Sequence, residues 1–553
     1  MRCKSLGAAL LLLLAGCSSV PTSSPVNPGI EIGNVDQAAI VTVIPQSPRM
    51  SMSPIEIVQG FIDASSSSLG NYAIARQYLS KLVSADWLPL AGIQVFETDL
   101  DLELISEKKV LGRGVSNLKV DGNYWPILEP AGKSSNVEFT LIQEEGQWRI
   151  IDPPSGVILT LAEFQRNYRI ATLWFANQQL NGLVPDAVVL PNSAQPAGSL
   201  IRLLSTGASP WLNQSVKNFL TEENVLSIVT NESKISIDLD TSVLKLSERE
   251  LSILVSQIAQ TLQQLPNVME LSITTGEQLI ELTDTPNFID LSSNSWIQTV
   301  KTKKPNLIAL QQNGDLINLS TNKLIKSWLN QYPQTKNLAL NLSQSILASV
   351  ASGSSQLRLA ALNQSPRVIN QPGNYSQVFF DSIGRLWFVE TGSGNLYFQQ
   401  RNALNQVAVR TVSQSKIGQV ALSPDELRMA ISRLSDVGST LSLARVEPAG
   451  KTFSLTDSQL IFDTTGNIKE IDWITPTSVL VLISYVNQDE PTGLVLDIRT
   501  GRQQNIKLPA GTIHISADGY GDFVAIDSQN QIWQSVNSNW ILIGNGVTAF
   551  YTD

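Results

Sequence analysis

Few residues in this sequence could do chemistry on their own account, and the two cysteines come first. Cys3 and Cys17 both lie in the first seventeen of 553 residues. Cys17 follows Leu14-Ala15-Gly16, small residues closing a short apolar run, which is where a secretory signal is cut. A thiolate is the strongest common side-chain nucleophile, so a cysteine placed there suits alkylation. A cut between Gly16 and Cys17 leaves at most one thiol, which excludes an internal disulfide and a cysteine-based zinc site. His514 is the only histidine. It lies beside an expected strand and reads as a packing or surface residue, because a general base needs partners that converge on it. Glu232, Asp238, Asp240, Glu248 and Glu250 resemble paired acids only at first sight. No His, Cys or Lys is placed to cooperate with them, so they read as helix caps and solvated faces. Ser423-Pro424-Asp425 reads as a turn and not as a nucleophile. No G-x-S-x-G, HExxH, P-loop or EF-hand loop occurs. The expectation is therefore no catalytic, cofactor-binding or metal-binding residues, and a chain that is not an enzyme. A net charge of −10 also disfavours nucleic acid, whose phosphates an acidic surface repels.

Around Cys17, Arg2 and Lys4 form a positive start, and Leu6 to Ala15 is too short to span a bilayer as a stable helix. The whole order resembles the lipobox of bacterial lipoproteins, in which the thiol is diacylglycerated and becomes the new N-terminus. That resemblance implies a signal peptide over 1–16, cleavage between Gly16 and Cys17, and lipidation of Cys17 with acyl chains such as palmitate. The chain would then be anchored to the cell membrane on its extracytoplasmic face; two acyl chains suffice for stable anchoring where one is marginal. Residues 17–50 carry Pro21, Pro25, Pro28, Pro45 and Pro48 and read as an extended tether, with Ile40 to Ile44 as a short edge strand within it.

The elements behind these residues fall into three groups, because a chain of this length exceeds one core. Across 51–155, Ser53-Pro54-Ile55-Glu56 is a capping box with proline at the first helical position. Ile55, Val58, Phe61 and Ile62 follow as one apolar face, and a second short helix is expected over Tyr72 to Leu79. Val137, Phe139 and Leu141 then alternate, Glu145-Gly146 turns, and Trp148 and Ile150 continue on the return strand. Helices before antiparallel strands suggest a cone-like α+β domain. Across 160–285, strands are expected at Arg169 to Phe175, Asp186 to Leu190, Ile235 to Leu239 and Val268 to Thr274, with a helix starting in Ser199 to Leu204. The strongest helix is capped by Ser247 with Glu250, carries the stripe Leu251, Leu254, Val255, Ile258, Leu262 and Leu265, and stops at Pro266.

From 286 to 553 helical stripes vanish. Five segments repeat a strand, a polar turn and a hydrophobic strand. Their second strands contain Ile346-Leu347-Ala348, Leu386-Trp387-Phe388, Met429-Ala430-Ile431, Val479-Leu480-Val481 and Phe523-Val524-Ala525. Gln312-Asn313-Gly314-Asp315 leading to Leu316-Ile317 is a candidate sixth. Units roughly 30 to 50 residues apart fit propeller blades, which must pack round a closed ring to bury both faces. The fold class expected is multidomain: two small α+β domains followed by an all-β propeller of about six blades, seven blades or a β-sandwich being the alternatives.

Trp148-Arg149-Ile150 running into Pro153-Pro154-Ser155-Gly156, then Tyr168 to Phe175 and Leu183-Val184-Pro185-Asp186, resembles the LpqB family of actinobacterial lipoproteins. The resemblance covers essentially the whole chain. It implies that 160–285 is a GerMN-type domain and that the C-terminal part is a propeller. It also implies an accessory protein that binds the extracellular domain of a two-component sensor histidine kinase, MtrB-like, and modulates it in cell-wall homeostasis and division. Only Cys17 carries over as a functional residue. A lipoprotein that binds cell-wall glycan or a small molecule is the alternative. A deep channel lined by Trp387 or Trp473 would favour glycan, and a filled channel with an apolar outer patch would favour a protein partner.

Overall fold

The computed structural model describes residues 45–553 apart from 68–69, 131–133, 193–194, 277, 281–288, 293–306, 328–334, 342, 352–355, 363, 370–374, 391, 401–402, 411–414, 450–451, 518–521 and 553. The expected signal peptide, the Gly16–Cys17 cleavage site, lipidated Cys17 and the tether as far as Ile44 lie outside the described residues, as do Asp518 and Gly519 of the last repeat.

Helix α1 (Pro54–Ser65) starts as its sequence dictates: Ser53 accepts from the Glu56 backbone N–H and the Glu56 carboxylate accepts from Ser53. Its buried face differs from expectation by one residue. Ile57, Val58, Phe61 and Ile62 are buried, whereas Ile55 in the first turn points to solvent. The Ile57–Phe61–Ala64 line faces the sheet, and a residue two positions earlier lies on the opposite side of a helix with 3.6 residues per turn. Tyr78, the residue after helix α2 (Ala73–Gln77), lays its ring on α1 at Gly60, where an added Cβ would lie 2.4 Å from that ring. The sheet beneath runs in the order 147–152, 134–144, 109–121, 92–96, 157–160, with 101–106 and 126–128 also paired to 109–121. Val137, Phe139 and Leu141 are buried as the alternation requires, and Glu145 and Gly146 form the hairpin turn with φ of 53° and 76°. Phe61, Trp87 and Phe139 meet in the core between helix and sheet with edge-on contacts at 5.1 and 6.3 Å between centroids.

Next come helix α3 (Leu161–Asn167), the antiparallel pair Tyr168–Asn177 and Leu183–Pro191, and helix α4 (Pro196–Thr206). Strands Lys234–Leu239 and Glu270–Thr275 pair in parallel, so a crossover must join them. Helix α5 (Glu248–Leu262) supplies it, with the Ser247/Glu250 capping box in place; it ends at Leu262, short of the expected stop at Pro266, and every residue of the expected stripe is buried, Leu265 from beyond the helix end.

Six sheets of four or five strands follow. They comprise 307–327 with 547–552, then 335–369, 375–406, 408–464, 467–506 and 512–545. Six apolar clusters each join two neighbouring blades, and the last links Val524, Ile526 and Ile532 of blade six to Leu307, Ala309, Val547 and Phe550 of blade one. The ring is therefore closed. The C-terminal strand Val547–Thr552 pairs antiparallel with Leu307–Gln311 and forms the innermost strand of blade one. This corrects the sixth repeat. In blades two to six the repeated turn joins first and second strands, but Gln312–Asp315 joins the second and third strands of blade one. Closure builds that blade's first two strands from the last and first strands of the propeller, so no turn can connect them.

Candidate functional site

The residues singled out by sequence fall into three structural settings. The acids near 240 do not converge: Asp238 accepts from Thr274 Oγ1 on the neighbouring strand at 2.6 Å, Asp240 caps Ser242 N–H at 2.8 Å, and Glu250 accepts from Ser247 N–H at 2.9 Å. Trp387 and Trp473 are both buried. Trp387 donates to Asp381 at 2.8 Å amid Phe379, Phe398 and Phe453, and Trp473 donates to the Ala421 carbonyl at 3.0 Å between blades four and five. Neither offers a ring face for a sugar in a channel.

His514 lies on the innermost strand of blade six, Thr512–Ala517, and its Nδ1 meets Glu470 Oε1 on the innermost strand of blade five. Glu470 Oε2 also accepts from Ile515 N–H at 2.7 Å, and Asp472 accepts from Ala517 N–H at 3.0 Å and from the Ser516 hydroxyl. Ser516 Oγ lies 3.1 Å from Thr552 Oγ1 on the closing strand, and Thr552 donates to the Ala517 carbonyl at 2.8 Å. An innermost strand has a free edge of backbone N–H groups, and these side chains satisfy it. Burial opposes charge on His514, but the Glu470 carboxylate and then Asp472 outweigh it and raise the histidine above its ordinary value. Burial raises Asp472 above the usual carboxylate range. The Ser516 hydroxyl is engaged with Asp472 and Thr552, so no nucleophile is presented to the histidine. The group is a clasp between blades five, six and one.

The third setting joins the second domain to the propeller. Arg428 is in an ion pair with Asp425 and donates to the Pro185 carbonyl. Arg445, paired with Asp457 at 2.7 Å, donates to the Trp211 carbonyl, and Trp211 Nε1 donates to the Asp457 carbonyl at 2.8 Å. Arg499 reaches Thr172 Oγ1 at 3.3 Å from its pairing with Asp497. Arg428 follows a turn of blade four, Arg499 lies in a turn of blade five, and Arg445 lies within the strand Gly438–Ala449 directly opposite Arg428; a planar guanidinium fork can hold a carboxylate and a second acceptor together. Ser423-Pro424-Asp425 is thus a turn, as its sequence indicates, but it also orients Arg428. Beside Pro185, buried Asp186 accepts from Ser209 N–H at 2.7 Å, and burial pushes its pKa up to about 6 against the pull of Ser209 and Arg428. Nothing in the sequence marks this junction: Arg428 and Arg499 stand three and two residues from their aspartates and read as surface pairs, and Arg445 is twelve residues from Asp457 with no local signal. Among the described residues no group of three or more His, Cys, Asp or Glu is placed to hold a metal ion. Among them no helix is long and apolar enough to cross a membrane.

Three family models match the chain. They are the N-terminal domain of lipoprotein LpqB over residues 47–165, a sporulation and spore germination domain over 172–281, and the lipoprotein LpqB beta-propeller domain over 314–549. Lipoprotein LpqB of Thermobifida fusca is 25% identical over 420 residues, covering 71% of this chain and 67% of its own length. Lipoprotein LpqB of Cutibacterium acnes is 25% identical over 311 residues, covering 55% of this chain and 52% of its own length. The matched stretches thus span between half and two thirds of these relatives. Among solved structures, a chain of a nidogen/laminin complex covers 45% of this chain and 98% of its own at 9% identity, with a TM-score of 0.36.

Proposed function

This chain belongs to the LpqB family of lipoproteins, and from that premise we propose that it is an accessory binding protein, anchored through lipid on Cys17 at the extracytoplasmic face of the cell membrane. Its partner in this reading is the extracellular domain of an MtrB-like sensor histidine kinase, whose signalling in cell-wall homeostasis and division it modulates. The domain limits 51–155, 160–285 and 286–553 serve as its working units. The observation that carries the reading is an exposed apolar stretch on the first unit. Leu82, Leu88 and Leu90 are 72%, 64% and 63% exposed within nine residues. Large exposed apolar side chains so close in sequence suit a protein contact. The second unit holds the propeller through Arg428, Arg445 and Arg499 and meets the first unit where Val189 N–H donates to the Tyr124 carbonyl at 2.8 Å, and these contacts together support a body that presents the stretch in a fixed orientation.

The purified chain without residues 1–17 should bind the kinase's extracellular domain in surface plasmon resonance. A Leu88→Asp/Leu90→Asp variant should bind at least about tenfold more weakly. Loss of the protein from cells should change phosphorylation of the cognate response regulator. Neither binding at high micromolar concentration nor any change in phosphorylation would reject this reading.

A further inference from the structure

A cavity of about 300 Å³ opens on the flank of the propeller between blades four and five, away from the channel-lining strands. Its apolar base is formed by Phe462, Ile483, Leu494 and the ring of Tyr485. Tyr485 is fixed from two sides. Thr464 donates to its hydroxyl at 3.1 Å, and a Cβ on Gly466 would come within 2.9 Å of its ring, so glycine is what lets the ring lie there. The walls carry Asp463, Thr492, Gln503 and Asn505. A carboxylate, a hydroxyl and two amides thus surround an aromatic base, and no lysine or arginine lines the space.

We propose that this cavity is a binding site for an uncharged, hydroxyl-rich ring, a single sugar unit of a glycan. The apolar face of a sugar ring packs against an aromatic ring, while its hydroxyls need donors and acceptors around the rim. The half-buried Tyr485 ring offers the first, and the amides, hydroxyl and carboxylate offer the second. Asp463 with no cation beside it disfavours phosphates and carboxylates as ligands. The volume lies at the small end of ligand sites and suits one ring in place of an extended chain. The site shares no residue with the stretch Leu82, Leu88 and Leu90, so it does not rest on the kinase reading.

The test is saturation-transfer NMR on the full chain in detergent, with the β-1,4-linked trimer of N-acetylglucosamine as probe and glucose 6-phosphate as the anionic control. The expected result is transfer to the protons of one ring of the trimer and none to the phosphate. A Gln503→Ala/Asn505→Ala variant removes only rim amides and should melt as the parent does. It should bind the trimer about tenfold more weakly, and Tyr485→Ala should abolish transfer. No saturable transfer at millimolar trimer, or transfer unchanged in both variants, would overturn the proposal.

Discussion

At the residue scale, Asp186 shows how one buried carboxyl ties stability to pH. Its side chain accepts from Ser209 N–H and lies near Arg428, yet burial raises its pKa from the usual 3.8 to about 6. A folded-state pKa above the unfolded value means that the folded chain holds this proton more tightly. Stability from this group is therefore present below pH 4 and is lost as pH rises from about 4 to about 6. Asp186→Asn keeps an acceptor for Ser209 and has no charge to lose. Its stability relative to the parent should rise across that window by on the order of 2–3 kcal/mol, and it should be at least as stable at pH 7.5. Urea denaturation at several pH values checks this, and parallel curves for the two proteins would sink it. His514 illustrates the opposite limit of sequence reading. It was legible as a packing residue and not as a base, but its link to Glu470 across two blades spans 44 positions and has no local signal.

At the element scale, α5 was the most legible part of the chain and still concealed half of its role. Its stripe of leucine, valine and isoleucine predicts which face is buried. It does not predict that Gln257 and Thr261, on the same face, are also fully buried. The strand Tyr168–Asn177 leaves part of one edge unpaired, and α5 with the turn after it covers that edge. Thr261 accepts from Trp174 N–H at 3.2 Å, and Gln257 donates to the Trp174 carbonyl at 3.2 Å. Gln264 holds both sides of Thr172, accepting from its N–H at 2.9 Å and donating to its carbonyl at 2.7 Å. Buried backbone groups left without partners are costly, so Gln264→Leu should destabilise the chain by about 2–4 kcal/mol despite its added apolar area. Equilibrium unfolding in urea would measure this; a variant equal to the parent would mean that water replaces the amide.

At the scale of the whole molecule, closure of the ring depends on the last strand. Val547 and Phe550 belong to the cluster between blades six and one, and Ala549 to the cluster between blades one and two. Removing Val547–Thr552 strips two of the six interfaces at once and bares the edge of Leu307–Gln311. Loss of a buried phenylalanine alone costs about 3–5 kcal/mol, so thermal unfolding of the propeller should shift down as a unit by 10 °C or more, as a rough estimate. Calorimetry distinguishes this from fraying of a single blade. A melting temperature unchanged by the deletion would mean that the ring does not depend on its closing strand.

Several features follow from the sequence alone. The capping boxes at Ser53 and Ser247 set helix starts from contacts three residues apart, and those appear in the structure where they were expected. The second strands of blades two to six were visible because a strand covered on both faces needs a continuous apolar run, as at Leu386–Val389 and Val479–Ile483. The tertiary structure alone decided the pairing of residues 547–552 with 307–311, the clasp at His514 and the arginine junction at Arg428, Arg445 and Arg499. Each joins groups separated by tens to hundreds of residues, where periodicity and capping rules have no reach. A charged or polar side chain is the same letter whether solvent or a distant backbone carbonyl satisfies it, and only packing settles which one does.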